Sequence, residues 1–242
     1  MVRPPSEHVR HRAAPRITAN ELALYMVAGE TGKLGIIKRA REAKTAATAR
    51  YDKVREDIRA YLCDMGRTSR TLATLQNKYA AIADDPSLTA WVREDARLSV
   101  DVLASLARME NQIKGGTFTL APAKQTPLVM NGVTVSVFLN LLMIRERAGQ
   151  TEIGGILFRL TKADEETDAA ALKRRAIGSY AATLALMQAQ ASHAELGYPH
   201  NQLCASFDIQ CEDVHWAPRN YATKAREMEN ACRFIAAMWD QA

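Results

Sequence analysis

Three sets of residues in this chain have types and spacings that chemistry uses. Lys38, Arg39, Arg41, Lys44, Arg50, Lys53, Arg55 and Arg59 crowd one short stretch. Cations at that density pair with phosphates and release counterions. Only Tyr51 and Tyr61 interleave, too few for a platform on which bases stack. The stretch therefore reads as a face for a DNA or RNA backbone rather than for base sequence. Its bland counterpart is a solvated helix face. A second set, His200, Cys204, Cys211 and His215, consists of zinc-ligand types. Cys204 to Ile209 alternates like a strand, which sets Cys204 and Cys211 roughly 20 Å apart. The expectation is buried thiols and surface imidazoles. A Cys–His pair drawn from Cys204 or Cys211 with His193 or His215 meets the same difficulty, because nothing in the sequence brings them together. The third set is Glu146, Glu152 and Asp208, the carboxylates available to a Mg²⁺-dependent enzyme. Asp208 alternates with Phe207 and Ile209, so a solvent or groove position is expected for it. Gly29-Glu-Thr-Gly32-Lys33 lacks the spacing of a phosphate-binding loop and reads as a helix stop.

These residues need a scaffold, and 242 residues are enough for one large domain or two small ones. The composition is 48% hydrophobic and 24% charged, with 12 Gly and 8 Pro, which excludes low-complexity and collagen-like chains. At 6% aromatic, the core must be built largely from Ala, Leu, Ile, Val and Met. The net charge is +5, and residues 1–60 supply it, with thirteen Lys or Arg against seven Asp or Glu. The longest apolar run, Val133 to Ile144, is interrupted by Thr134, Ser136 and Asn140. It falls short of the ~20 residues a membrane helix needs. The first residues have no apolar h-region of a secretory signal. Four scattered cysteines do not make a disulfide scaffold, so free thiols in a reducing cytoplasm are expected.

Periodicity divides the chain. Residues 1–16, with three prolines and four arginines, read as a flexible basic arm. Residues 17–115 read as helical. Thr18-Ala-Asn-Glu21 is a capping box. A short helix runs from it to about Gly29, then one long helix from Leu34 to Leu62, and helices over 69–83 and 87–113. From Gly116 the period changes to that of strands. Asn131-Gly132 is the preferred pair for a type I′ hairpin turn. Strands at 117–120, 128–137, 140–146 and 152–160 are expected to form one antiparallel meander. A helix over 164–196, strands at 203–209 and 214–216 and a last helix over 220–239 complete residues 116–242. The fold class is therefore α+β, a helical N-terminal region followed by an antiparallel or mixed sheet flanked by helices.

The order helix, antiparallel strands, helix, strand, helix over residues 87–217 resembles the core of the restriction-endonuclease-like PD-(D/E)xK nucleases. The resemblance implies a metal-binding Asp after the hairpin and an acidic-x-Lys triplet on the next strand. Asn140 stands where that Asp is due, and Ile153-Gly-Gly-Ile-Leu-Phe-Arg-Leu160 carries neither carboxylate nor lysine. The expected protein is a nuclease-like core without its catalytic motif, acting by binding nucleic acid through the basic helices or a protein partner as an assembly subunit. The runner-up is a metal-dependent nuclease that uses Glu146, Glu152 and Asp208. A third reading is a protein–protein scaffold with no nucleic-acid role.

Overall fold

The computed structural model describes residues 11–42, 50–161 and 167–241. The chain is α+β. Strand β1 (Arg16–Thr18) leads into α1 (Ala19–Tyr25), whose capping box forms as expected: Thr18 Oγ1 accepts from Glu21 N and Glu21 Oε2 accepts from Thr18 N. Helix α2 (Glu30–Arg41) comes next. Gly29 is its extended N-cap and Gly32 lies within it, so these glycines start a helix instead of ending one. The long helix expected from Leu34 to Leu62 is two helices. After α2 the description resumes at Arg50, and α3 (Asp52–Cys63) begins at Tyr51, a non-glycine residue in the left-handed region at φ 68°. Helices α4 (Ser69–Asp84) and α5 (Ala90–Met109) complete the helical region.

The strands form two sheets rather than one meander. β3 (Leu128–Met130) and β4 (Val133–Ser136) are joined at Asn131 and Gly132, both at positive φ, as the type I′ turn requires. β4 then takes β1 as a parallel partner, Ile17 beside Val135, and the order is β1-β4-β3. The larger sheet has the order β2-β5-β6-β8-β9, from β2 (Thr117–Leu120), β5 (Leu141–Arg147), β6 (Gln150–Arg159), β8 (Ala205–Asp208) and β9 (Asp213–Trp216). β7 (Tyr198–Pro199) adds to β6. β2, β5 and β6 are antiparallel, α6 (Asp168–Ser192) carries the chain to β8 parallel to β6, and β9 returns antiparallel to β8. Helix α7 (Tyr221–Met238) closes the described chain.

The larger sheet is covered on both faces. On one, α6 packs on β6, β8 and β9. Leu184, Leu139 and Val135 join there with Leu22 and Ile37 from the first helices and Met228, Ile235 and Trp239 from the last. On the other face Ile58, Leu62, Leu72, Leu103 and Leu106 of α3, α4 and α5 meet Phe118, Met143, Phe158 and Phe207. Phe207 stacks on Phe158 and meets Trp216 edge-on. Both cores draw on residues from either side of position 115. Of the basic arm expected over residues 1–16, residues 1–10 lie outside the described residues, and residues 11–16, though mostly exposed, are tied down: Arg12 N donates to Arg41 O, its guanidinium donates to Ala40 O, and Trp239 Nε1 donates to Arg12 O. Among the described residues no helix is long and apolar enough to cross a membrane, and all four cysteines are free thiols.

Candidate functional site

The cationic stretch separates into three kinds of residue. Lys38 and Arg39 at the last turn of α2, Arg50, and Lys53 in the first turn of α3 are exposed. They make no hydrogen bond or ion pair with another described residue, although Arg50 adds a little to the hold of Arg97, whose hydrogen bond keeps the Glu94 carboxyl below the usual range. Arg41 is half-buried and donates to Asp240 O. Arg55 is paired to Asp52 at 3.0 Å. Lys44 lies outside the described residues. On α3 the cations alternate with Asp52, Glu56 and Asp57, and the shallow depression of about 560 Å³ beside Phe138 is bounded by Asp52, Lys53, Arg55 and Glu56. The surface at the start of α3 is charge-balanced.

Arg59 faces inward, and this corrects its assignment as a phosphate contact. It is 8% exposed. Its Nε donates to Asn140 O at 3.0 Å, its Nη2 to Ala121 O at 3.4 Å and its Nη1 to both oxygens of Glu56. A planar fork with five donors suits two carbonyls and a carboxylate at once. Asn140 is committed as well. Its N donates to Ile156 O at 2.7 Å and its Oδ1 accepts from Phe158 N at 2.6 Å, which fastens the start of β5 across to β6.

The three carboxylates do not converge. Glu146 and Glu152 sit at the β5–β6 hairpin, where Glu146 accepts from Thr151 and Glu152 pairs with Arg145. That guanidinium holds the Glu152 carboxyl below its usual range. Asp208 is beside Arg159, seven positions along β6 from Glu152, or roughly 23 Å away. It is 1% exposed, so the solvent or groove position expected for it is wrong: alternation turned it away from Phe207, but α6 covers that face too. The zinc set is also dispersed. Cys204 precedes β8 and its Sγ accepts from Gly155 N, Cys211 ends the turn beyond the opposite end of β8, and His200 Nδ1 accepts from Gln202 N. Burial pushes the Cys204 thiol up to about 12, which removes it as a nucleophile. Among the described residues no three His, Cys, Asp or Glu side chains gather as a metal site.

What the structure does gather is a polar layer between the sheet and α6. Ser206 lies directly opposite His215, and Asp208 opposite Asp213. Arg159 of β6 lies beside Asp208, with Nη1 2.7 Å from Oδ2. His215 Nε2 lies 3.8 Å from Asp213 Oδ2. Among the described residues Asp208 Oδ1 and Oδ2, Ser206 Oγ, Arg159 Nη1 and His215 Nε2 are buried and lack an aligned hydrogen bond, so the Arg159–Asp208 contact is one of charge. Burial pushes the His215 pKa down. Asp213 and Asp208 oppose that shift, and Arg159 and Arg175 reinforce it. The Cys211 thiol at the rim is raised by burial and by Asp208. Reasoning from sequence misses Arg159 and Asp213. Their signal is Asp208, Asp213 and His215 repeating polar residues on one face of two short strands, but only the strand register joins them to Arg159. Comparison with protein-family models and with curated proteins finds no match to this chain.

Proposed function

We propose that this chain binds the backbone of a nucleic acid without cutting it, on a sheet of the PD-(D/E)xK nuclease kind that has lost its metal chemistry. The element order supports the reading: α5, the antiparallel β2, β5 and β6, the helix α6, then β8. The observation that carries it is the state of Asn140. The position at which the resemblance puts a metal-binding Asp holds a neutral amide already bonded to Phe158 N, and the carbonyl of the same residue is met by the Arg59 guanidinium. A cation beside that position disfavours a second cation, and β6 carries neither a carboxylate nor a lysine after Glu152. Among the described residues no three His, Cys, Asp or Glu side chains gather to hold Mg²⁺. The contacts to the backbone are assigned to Lys38, Arg39, Arg50 and Lys53, which bracket residues 43–49 and have no ion-pair partner among the described residues.

The test is binding of short single- and double-stranded DNA and RNA at about 50 and 200 mM salt with Mg²⁺ present, the products being checked on a gel. Affinity should fall steeply between the two salts, and the slope of log K against log salt should shrink by about one for each contacting cation changed to Ala. Cleavage that disappears on Glu152→Ala or Asp208→Ala would favour the nuclease. Absence of both binding and cleavage would leave the scaffold reading.

A further inference from the structure

Among the described residues β9 is an edge strand paired with β8 alone, and its His215 side chain fills the space between that edge and α6. The fit is close enough to dictate the helix sequence. A Cβ built on Gly178 of α6 would stand 2.0 Å from His215 Cδ2 and 2.2 Å from Cγ, so only glycine admits the ring. The ring's Nε2 is buried with no hydrogen-bond partner among the described residues. Around it stand Ser206 and Asp208 from β8, Asp213 from β9 itself, Arg159 from β6 and Arg175 from α6. The two carboxylates, with Asp213 Oδ2 3.8 Å from Nε2, favour the imidazolium, and the two guanidiniums oppose it. What then decides the state of the ring is its removal from water, which disfavours the imidazolium.

We infer that His215 is a proton-sensitive lock on the α6–β9 contact: as a neutral ring it holds the edge strand under α6, and as an imidazolium it releases that edge. Release is mechanically simple here. Among the described residues β9 has one strand partner, its residues are only partly buried, and its His215 ring is wedged against Gly178 of the helix. Opening the edge gives Nε2 to water, where the imidazolium recovers its hydration and the ordinary His pKa of about 6.5. One proton taken up on opening makes the opening equilibrium rise by at most ~10-fold per pH unit below that value.

The experiment is hydrogen exchange of the β9 amides in the full chain between pH 8 and pH 5.5, corrected for the intrinsic pH dependence of exchange. Protection of β9 should fall on acidification by up to ~10-fold per unit below about pH 6.5, while β5 and β6 hold theirs. In His215→Phe, which keeps a flat ring on Gly178 and cannot titrate, the dependence should vanish. An NMR titration of the His215 ring in the unaltered protein stands in should that variant fail to fold, and its midpoint should lie below 6.5. Unchanged β9 protection across the range, a dependence that persists in His215→Phe, or a midpoint at or above 6.5 would each overturn the lock.

Discussion

Replacing Arg59 with Ala removes a guanidinium that three elements share. The Asn140 carbonyl loses a donor at 3.0 Å in a buried setting, and the Ala121 carbonyl loses a weaker one at 3.4 Å. A buried acceptor left unsatisfied costs about 1–3 kcal/mol, and the longer bond belongs near the bottom of that range. Glu56, with 66% of its side chain exposed, returns to water at little cost. The expected loss is therefore about 3 kcal/mol, most of it from Asn140 and the buried stem of the arginine. Arg59→Lys, a point charge without the fork, should recover less than half of it. Urea unfolding followed by tryptophan fluorescence measures this as a midpoint lowered by about 1 M or more, at a slope of about 2–3 kcal/mol/M. A destabilisation below about 0.5 kcal/mol, accompanied by weakened nucleic-acid binding, would refute the inward assignment and return Arg59 to the contact surface.

Other substitutions obey the same physics. Asn140→Leu strands the Phe158 N–H and should cost about 1–3 kcal/mol in the same assay; an unchanged midpoint would mean that the amide bond carries nothing. Gly178→Ala forces its methyl into the His215 ring and should either prevent folding or lower the melting temperature by several degrees, whereas Gly132→Ala meets open space and pays only for its positive φ. Because the folded His215 pKa lies below the unfolded value near 6.5, its contribution to stability is fully present above that pH and declines as pH falls toward the folded value. Global stability of His215→Phe should therefore vary less than that of the unaltered chain between pH 7 and 5. In thiol labelling of the native protein at pH 8, Cys63 and Cys211 should react before Cys204 and Cys232, whose thiols are both pushed up to about 12 by burial; equal rates would contradict the packing of α6 and α7.

Local structure was legible wherever a local cause decides it. The Thr18 box, the Asn131-Gly132 turn, β5, β6, α6 and α7 arise from caps, positive-φ residues and periods of 3.6 or 2. The break at Tyr51 was not legible, because no glycine or proline marks it. Nor was the split into two sheets: β1 is three residues long and finds β4 more than a hundred positions away. The candidate site suffered from the same blindness. Arg59 reads as one cation among eight until its acceptors, the carbonyls of residues 121 and 140, are known. Asp208 reads as facing water because alternation gives its direction and says nothing of the helix that lies there. Arg159 and Asp208 become neighbours only through a parallel register, which a crossover helix sets and no local pattern encodes.

The indole of Trp239 donating to the carbonyl of Arg12 joins positions that synthesis makes far apart in time. Ile17, Leu22 and Ile37 leave the ribosome early, yet the core they enter is finished by Met228, Ile235 and Trp239. The first helices pack chiefly on β4 and α6, so their apolar faces stay uncovered until residues 168–192 have been made, and their core is complete only with α7. That delay favours chaperone capture or aggregation of the nascent chain. It also makes a circular permutant practical. With residues 12 and 239 already in contact, a short linker between them and a cut at the exposed Asn131-Gly132 turn would let the early helices be made directly after the segment they pack against.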